Sequence, residues 1–270
     1  MSDLDKIFTG SIPEIYDTFL VPLIFEGFAS DIARRAADMR PAHILETAAG
    51  TGAVTRALAP LLGRSARYIV TDLNQPMLDR AARHQDPDER VVWQQADALN
   101  LPFQSASFDA VCCQFGAMFF PDRVAGYREA RRVLKPGGHF LFNVWDRIEE
   151  NDFARIATDT AGTFFRKDPP RFLARTPHGY YDVSHIGAEL RTAGYSAINI
   201  VTLEETSRAP SARHAAIAYC QGTPLRGEIE TRDPSALAAV TDRVAEEIEK
   251  AHGAGPISGK IQAHVIVAQA

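Results

Sequence analysis

The stretch that decides the fold is His43-Ile44-Leu45-Glu46-Thr47-Ala48-Ala49-Gly50-Thr51-Gly52. Residues 43–46 predict a short buried strand, and the small residues that follow predict a tight loop in which a ligand can approach the backbone closely. The next segment predicts a helix with one apolar stripe, formed by Val54, Leu58, Leu61 and Leu62. Strand, loop and helix in this order are typical of the first unit of a parallel α/β sheet.

The same alternation continues through the centre of the chain. The pattern predicts further strands at 67–71, 91–95, 108–114, 139–145, 197–203 and 261–268. A helix from about Asp122 to Leu134 precedes the turn Lys135-Pro136-Gly137-Gly138, which we expect to reverse the chain into strand 139–145. Residues 168–182, rich in proline and aromatic side chains, predict irregular structure. Strands joined by crossover helices predict a doubly wound α/β sheet.

The composition excludes several classes of protein. Hydrophobic residues make up 46% and charged residues 23% of the chain, which is typical of a folded globular protein rather than a disordered one. The formal net charge of -5 gives no broad basic field, so we expect no nucleic acid partner. No apolar stretch approaches the roughly 18 residues that a membrane helix needs, so we expect no integral membrane association and a cytoplasmic location.

The three cysteines, Cys112, Cys113 and Cys220, predict neither a disulfide framework nor a metal site. Cys112 and Cys113 are neighbours in an apolar run, and they lack the gapped spacing and the histidine partner of a zinc site. We therefore expect this pair to be buried as small apolar side chains, and we expect no bound metal.

The glycine loop does not identify a ligand by itself, because a structural tight turn has the same composition. A dinucleotide fingerprint has a third glycine three positions after the second, where this chain has Thr55. Asp72 ends the second strand, where it can accept hydrogen bonds from ribose hydroxyls, and Asn74 is better placed to cap the next helix. Asp97, after the third strand, either meets an adenine amino group or caps a turn. Three strand ends that meet at one crevice favour an adenosine ligand.

Six motifs also occur in the order found in one enzyme family: Ile44–Gly52, Thr71-Asp72, Met77-Leu78, Gln95–Phe103, Ser107–Val111 and Arg132–Gly138. With them the chain resembles the class I S-adenosylmethionine-dependent methyltransferases, and it is similar to the branch that includes the ubiquinone and menaquinone biosynthesis methyltransferases. The resemblance implies a Rossmann-like doubly wound seven-stranded sheet, mostly parallel with an antiparallel C-terminal strand and with helices on both faces. It implies S-adenosyl-L-methionine as cofactor and S-adenosyl-L-homocysteine as product.

The resemblance further implies where the cofactor binds. Its methionine part meets the backbone of the first loop, its ribose meets Asp72, and its adenine lies against the side chains that follow Asp72 and the third strand. The full expected set is Tyr16, Glu46, Thr47, Ala48, Gly50, Asp72, Leu73, Met77, Asp97, Ala98, Gln114 and Phe115. Ala48 stands where the family often has its first glycine. We expect a negative φ at Ala48, because a methyl group is tolerated there only under that condition.

We expect a small-molecule acceptor, and the sequence leaves O-, N- and C-methylation open. Methyl transfer from a sulfonium is an in-line displacement, so much of the acceleration can come from alignment of the two reactants. A hydroxyl or phenol acceptor needs a base, for which the candidates are His178, Tyr16, Tyr180 and Tyr181. A structural role for His178 stays open. The apolar run 114–121 is core, and it also contributes to an acceptor pocket in our interpretation.

The expected organisation has four segments: an N-terminal helical cap at 1–40, a cofactor-binding core at 41–146, a lid or substrate insertion at 147–183, and the remainder of the methyltransferase domain at 184–270 with a helical insertion at 211–252. Two other functions stay open, a non-catalytic S-adenosylmethionine-binding protein that acts as a sensor or assembly partner, and a nicotinamide-dependent oxidoreductase, which the missing third glycine disfavours. The oligomeric state, a homodimer included, stays open as well.

Overall fold

The protein is described by a computed structural model that covers residues 12–270, with side chains from residue 14 onward. The first eleven residues of the expected N-terminal cap therefore lie outside the described residues. Seven strands form one sheet in the order β3-β2-β1-β4-β5-β7-β6. They are β1 His43–Glu46, β2 Arg67–Asp72, β3 Val91–Gln95, β4 Phe108–Gln114, β5 Leu134–Trp145, β6 Ala197–Ala209 and β7 Ile257–Gln269.

Strands β1 to β5 pair in parallel, and β7 runs antiparallel to β5. The parallel pairs are β1 with β2, β1 with β4, β2 with β3, and β4 with β5. The Gly137 N–H donates to the Ala270 carbonyl, and the Asp146 N–H donates to the Gln262 carbonyl. Partner numbers thus fall along β7 as they rise along β5, which defines an antiparallel pair. The expected mostly parallel, seven-stranded Rossmann-like sheet is confirmed.

Eleven α-helices are described between residues 12 and 270. They are α1 Ile12–Ile15, α2 Glu26–Asp38, α3 Ala53–Leu58, α4 Gln75–His84, α5 Arg123–Val133, α6 Asp152–Phe164, α7 Phe172–Arg175, α8 Val183–Thr192, α9 Ala212–Gln221, α10 Leu225–Arg232 and α11 Leu237–His252, and a π-helical stretch, Tyr16–Phe25, joins α1 to α2. Side-chain caps set several helix starts: Asp122 accepts from the Ala125 N–H, and Asp182 accepts from the Ser184 N–H. Within the described range, no helix is both long and apolar enough to span a lipid bilayer.

The chain forms two compact units. One unit comprises the described residues up to Phe25 together with Trp145–Tyr180 and Glu204–Gln262. The other comprises Glu26–Val144, Tyr181–Leu203 and Ala263–Ala270, and it contains β1 to β4 and the glycine loop. We call the latter the sheet unit. Its core buries apolar residues from α2, α3, β1, β2 and β4, among them Ile32, Ile44, Leu58, Tyr68 and Ala110.

Two expectations about local structure were wrong. The expected turn Lys135–Gly138 lies inside β5, whose pairing with β4 jumps from Phe108↔Leu134 to Ala110↔His139. The extra residues are accommodated because Gly138 has no side chain: a Cβ there would lie 2.9 Å from the Asp109 carbonyl oxygen. Helix α6 was not expected. Its buried Phe153, Ile156, Ala157 and Thr160 follow the helical period, so the signal was present in the sequence.

The sheet order places the topological switch point between β1 and β4. From β1 the chain moves to β2 and β3 on one side, and β4 and β5 lie on the other side. In open α/β sheets a ligand crevice forms outside the carboxyl ends of the strands at this point. We therefore expect the functional site at the loops that follow β1, β2, β3 and β4.

Candidate active site

The glycine loop is hydrogen-bonded to β4 and β2, the two strands that flank β1. The Thr47 N–H donates to the Cys112 carbonyl of β4 at 2.9 Å, and the Ala49 N–H donates to the Thr71 carbonyl of β2 at 3.0 Å. Gly50 and Gly52 have φ of 58° and 82°, a left-handed conformation that favours glycine. The loop is thereby fixed at the switch point before the helix α3 begins.

Ala48 also has a left-handed backbone, with φ of 51°. The expectation of a negative φ was therefore wrong. A Cβ added at Gly116, just after β4, would lie 2.4 Å from the Ala48 Cβ and 2.9 Å from the Cys113 Sγ. The Ala48 methyl group fits in this glycine-like position because the facing residue has no side chain of its own.

Asp72 joins the end of β2 to the glycine loop. Its Oδ2 accepts from the Gly50 N–H at 2.8 Å, and its Oδ1 accepts from the Asn74 N–H at 2.7 Å. Burial raises the pKa of this carboxyl above its usual value. The Asn74 Nδ2 also lies 3.4 Å from Oδ1, so the acceptor capacity that Asp72 keeps for a ligand hydroxyl lies on Oδ2.

The expectation that the Asn74 side chain caps the helix after β2 was wrong. Asn74 occupies the N-cap position of α4, but its side chain makes no capping hydrogen bond to the helix. Its amide nitrogen instead lies 3.4 Å from the Asp72 Oδ1. Asn74 thus orients Asp72 rather than the helix.

Leu73 and Met77, two of the residues expected to contact adenine, follow Asp72 in the chain. Leu73 is 49% exposed, so its apolar side chain is accessible to a ligand. Met77 is buried below the loop, with its Cε 3.8 Å from where a Cβ of Gly50 would lie. The Ala96 N–H donates to the Asp72 carbonyl at 3.1 Å, which holds the end of β3 beside Asp72.

The carboxylate of Asp97 is already used within its own turn. Its Oδ1 accepts from the Leu99 N–H at 2.9 Å, and its backbone pairs with Asn100. The side chain is exposed, and Ala98 beside it is half-buried. Asp97 is therefore a turn cap in this structure, with lone pairs left for a ligand at the third strand end.

Glu46 supports the loop from below. Its side chain is buried, and its Oε2 accepts from the Thr55 hydroxyl of α3 at 2.7 Å and from the Tyr68 hydroxyl of β2. Burial raises the pKa of Glu46 to about 7. The carboxyl thus ties β1, β2 and α3 together.

Strand β4 ends in a second strained turn. Gln114 is half-buried, and Phe115, which is buried, has φ of 50°. The Phe115 N–H donates to both the carbonyl and the side-chain Oδ1 of Asn143, at 3.2 and 3.0 Å. Left-handed residues other than glycine cost free energy and cluster at functional sites, so two of them at adjacent strand ends support a ligand crevice here.

Tyr16 and His178 belong to the unit that does not contain the glycine loop. Tyr16 is half-buried and stacks on Phe25 with ring centroids 5.3 Å apart. His178 is buried beside Trp145, and its Nδ1 lies 2.8 Å from the Asp146 carbonyl oxygen. Because a carbonyl only accepts, Nδ1 carries the proton and Nε2 keeps its lone pair. Burial lowers the pKa of His178 to about 4, so its imidazole is neutral at pH 7.

The loop residues fit an adenosine-containing cofactor with an amino acid tail. The Thr51 hydroxyl oxygen is buried and has no hydrogen-bond partner among residues 12–270, so it can serve a ligand at the loop. The left-handed Gly50 leaves the backbone open to close approach, and Asp72 keeps acceptor capacity on Oδ2. In the same range, no group of three or more His, Cys, Asp or Glu side chains is arranged to hold a metal ion.

Three residues that support this site were missed in the sequence: Thr55, Tyr68 and Asn143, each of which contacts an expected site residue in the folded chain. Gly116 was expected only as a member of the run 114–121, and its close approach to Ala48 was not anticipated, although a glycine near the end of a buried strand often marks close backbone approach. The contacts of the other three join elements whose pairing the sequence does not give.

Comparison with known proteins agrees with this geometry. The family model described as "Methyltransferase domain" matches residues 45–142. The chain is 32% identical over 178 residues to the ubiquinone/menaquinone biosynthesis C-methyltransferase of Burkholderia vietnamiensis, which covers 62% of this chain and 73% of that protein.

Two solved structures support the fold. The YcgJ protein of Bacillus subtilis matches with a TM-score of 0.55 at 20% identity, covering 90% of this chain and 98% of that one. A phosphoethanolamine N-methyltransferase of Haemonchus contortus, solved with phosphomonomethylethanolamine and S-adenosylhomocysteine, matches with a TM-score of 0.61 at 16% identity, covering 98% of this chain and 59% of that one.

The matched domain spans the sheet unit from β1 into β5, which is the region that carries the glycine loop and Asp72. The resemblance stated from the sequence motifs is thereby confirmed, with S-adenosylmethionine rather than a nicotinamide as the cofactor. The chain belongs to the S-adenosylmethionine-dependent methyltransferase family.

Proposed function

We propose that the chain transfers a methyl group to a small-molecule acceptor, with the cofactor held at the carboxyl ends of β1 to β4. One observation carries the placement of the cofactor: Asp72 accepts from the Gly50 N–H at 2.8 Å. This bond joins a carboxylate suited to ribose hydroxyls to a loop backbone suited to the methionine part. Bound S-adenosylmethionine supplies an electrophilic methyl group on a sulfonium with an excellent leaving group.

Each residue of the proposed site has a role set by its contacts. Glu46 holds the loop through Thr55, Asp72 receives the ribose, and the exposed Leu73 covers the adenine. The remaining members pack around these groups or offer backbone donors; they are Thr47, Ala48, Gly50, Met77, Asp97, Ala98, Gln114 and Phe115. The chain thereby orients its cofactor with a rigid backbone, and alignment supplies much of the rate enhancement of an in-line transfer.

On the acceptor side, we assign His178 as the base for a hydroxyl or phenol. Its Nδ1 proton is fixed by the Asp146 carbonyl, so Nε2 is the atom that can receive a proton. Residues 147–183 are the segment proposed to recognise the acceptor, and Tyr16 is kept both as a further candidate base and as a cofactor residue. An amine or carboxylate acceptor would leave His178 without a catalytic role.

Quinols are the first acceptor class to test, because the relative from Burkholderia vietnamiensis is named for ubiquinone and menaquinone biosynthesis. The experiment incubates the full chain with methyl-labelled S-adenosylmethionine and separate panels of quinols, phenols, amines and carboxylates. We expect label to appear in members of one small-molecule class. Label that enters only protein or RNA of a cell extract, with none in any panel, would refute a small-molecule acceptor.

A further inference from the structure

Asn143 is a buried amide on β5 whose contacts reach the cofactor site. It is fully buried, and it pairs in register with Gln114 at the end of β4. Its Oδ1 accepts from the Phe115 N–H at 3.0 Å, and its own carbonyl accepts from the same N–H at 3.2 Å. The N–H is thus held by two oxygens of one residue.

The other end of this amide is unpaired. Its Nδ2 is buried and has no hydrogen-bond partner within the part of the chain that the structure describes. A buried donor without a partner costs free energy, whereas an apolar side chain of similar size would leave no such group. Asn143 is therefore a poor choice for stability, which points to a role for the oxygen that faces Phe115.

The bond to Phe115 controls where the next residue lies. Phe115 has φ of 50°, and a bulky residue leaves this conformation readily unless its surroundings hold it. Gly116 follows, and its Cα lies so close to Ala48 that an added Cβ would be 2.4 Å from the Ala48 methyl carbon. A change of φ at Phe115 would move Gly116 and so release the glycine loop at Ala48.

We propose that Asn143 is a positioning residue for the cofactor loop. Its Oδ1 holds the turn at Phe115, the turn sets Gly116 against Ala48, and this contact fixes the loop that receives the methionine part of the cofactor. The inference rests on the proposed cofactor site and adds a residue that acts on it only through Phe115 and Gly116.

The test measures S-adenosylhomocysteine affinity by titration calorimetry, at a temperature where every variant is folded. Asn143→Leu removes the side-chain acceptor and leaves the backbone carbonyl, and we expect affinity to fall about tenfold, the effect of one hydrogen bond. Asn143→Asp keeps an oxygen toward the Phe115 N–H, and we expect affinity within about threefold of the wild type. Leu141→Val is the matched control, because Leu141 is fully buried on the same strand. We expect it to lower the melting temperature without changing affinity.

A double variant tests whether Asn143 acts on the loop through the contact between Gly116 and Ala48. Ala48→Gly removes the methyl group that faces Gly116, so Asn143→Leu should weaken binding less in that background than in the wild type. Unchanged affinity in Asn143→Leu, no rescue by Asn143→Asp, or an undiminished effect in the Ala48→Gly background would overturn the inference. A wild-type chain that binds no S-adenosylhomocysteine would instead overturn the proposed cofactor site, and the inference with it.

Discussion

The methyl group of Ala48 occupies space that a side chain at Gly116 would fill, since a Cβ there would lie 2.4 Å from the Ala48 Cβ. Ala48 has a left-handed φ of 51°, a conformation that favours glycine. The two positions therefore share one small volume, which has room for a side chain at only one of them. The loop after β1 and the turn after β4 are packed as a pair rather than as independent loops.

Gly116→Ala should destabilise the chain. The new methyl group meets both Ala48 and the Cys113 Sγ, and overpacking of this kind typically costs about 1 to 3 kcal/mol. Urea unfolding of the full chain measures the loss. Gly227→Ala is the control, because a Cβ at Gly227 meets nothing within 4 Å and lies in α10. Equal stability of the two variants would show that the space at Gly116 is not occupied by Ala48.

Ala48→Gly should raise stability. Alanine in a left-handed conformation costs about 1 kcal/mol, which glycine avoids, although the greater freedom of glycine in the unfolded chain offsets part of the gain. The same change in the exposed helical residue Ala188 should instead lower stability by about 1 kcal/mol. Thermal unfolding of the two variants and the wild type measures both changes in stability. A loss in Ala48→Gly as large as that in Ala188→Gly would contradict the left-handed backbone.

The pKa of Glu46 predicts a pH dependence of stability. Burial raises this pKa from 4.5 to about 7, so between these values the folded chain holds a proton that the unfolded chain has released. Stability should therefore fall as pH rises from about 4.5 to 7, by at most roughly 3 kcal/mol from this group. Asp72, whose pKa burial also raises, contributes in the same direction.

Glu46→Gln tests this assignment. The amide keeps an oxygen for Thr55 and Tyr68 but does not titrate, so the free energy of unfolding should change less steeply between pH 5 and 7 than in the wild type. Denaturant unfolding at several pH values measures the slope. A slope identical to that of the wild type would mean that Glu46 keeps an ordinary pKa in the folded chain.

His178→Gln tests the assigned base once a hydroxyl or phenol acceptor is known. Gln retains a donor for the Asp146 carbonyl but offers no basic nitrogen, so kcat should fall by about 100-fold or more. Cofactor affinity should be unchanged, because His178 is not among the proposed cofactor residues. A kcat within threefold of the wild type would remove His178 from the reaction.

Periodicity in the sequence predicted β1, β3 and β4 at their observed bounds, because each strand is short, apolar and ended by a turn-forming segment. The start of β5 was missed, since its pairing with β4 is interrupted after Leu134 and resumes at His139, and the strand passes close to the Asp109 carbonyl at Gly138, which has no side chain. The error in the predicted φ of Ala48 also comes from a contact between residues distant in sequence. Its φ depends on Gly116, a residue distant in sequence, and no local pattern carries that information. Partnerships across strands, such as that of Phe115 with Asn143, are likewise set by packing alone.

The central claim is that Asp72 and the glycine loop hold the cofactor, and titration of S-adenosylhomocysteine into wild-type and Asp72→Ala chains tests it most directly. Asp79→Ala, which removes an exposed carboxylate from the neighbouring α4, is the control. We predict saturable one-site binding to the wild type and the control, weakened by about 1 to 3 kcal/mol in Asp72→Ala because ribose hydroxyls lose a buried acceptor. Equal affinity of all three folded chains would contradict the account.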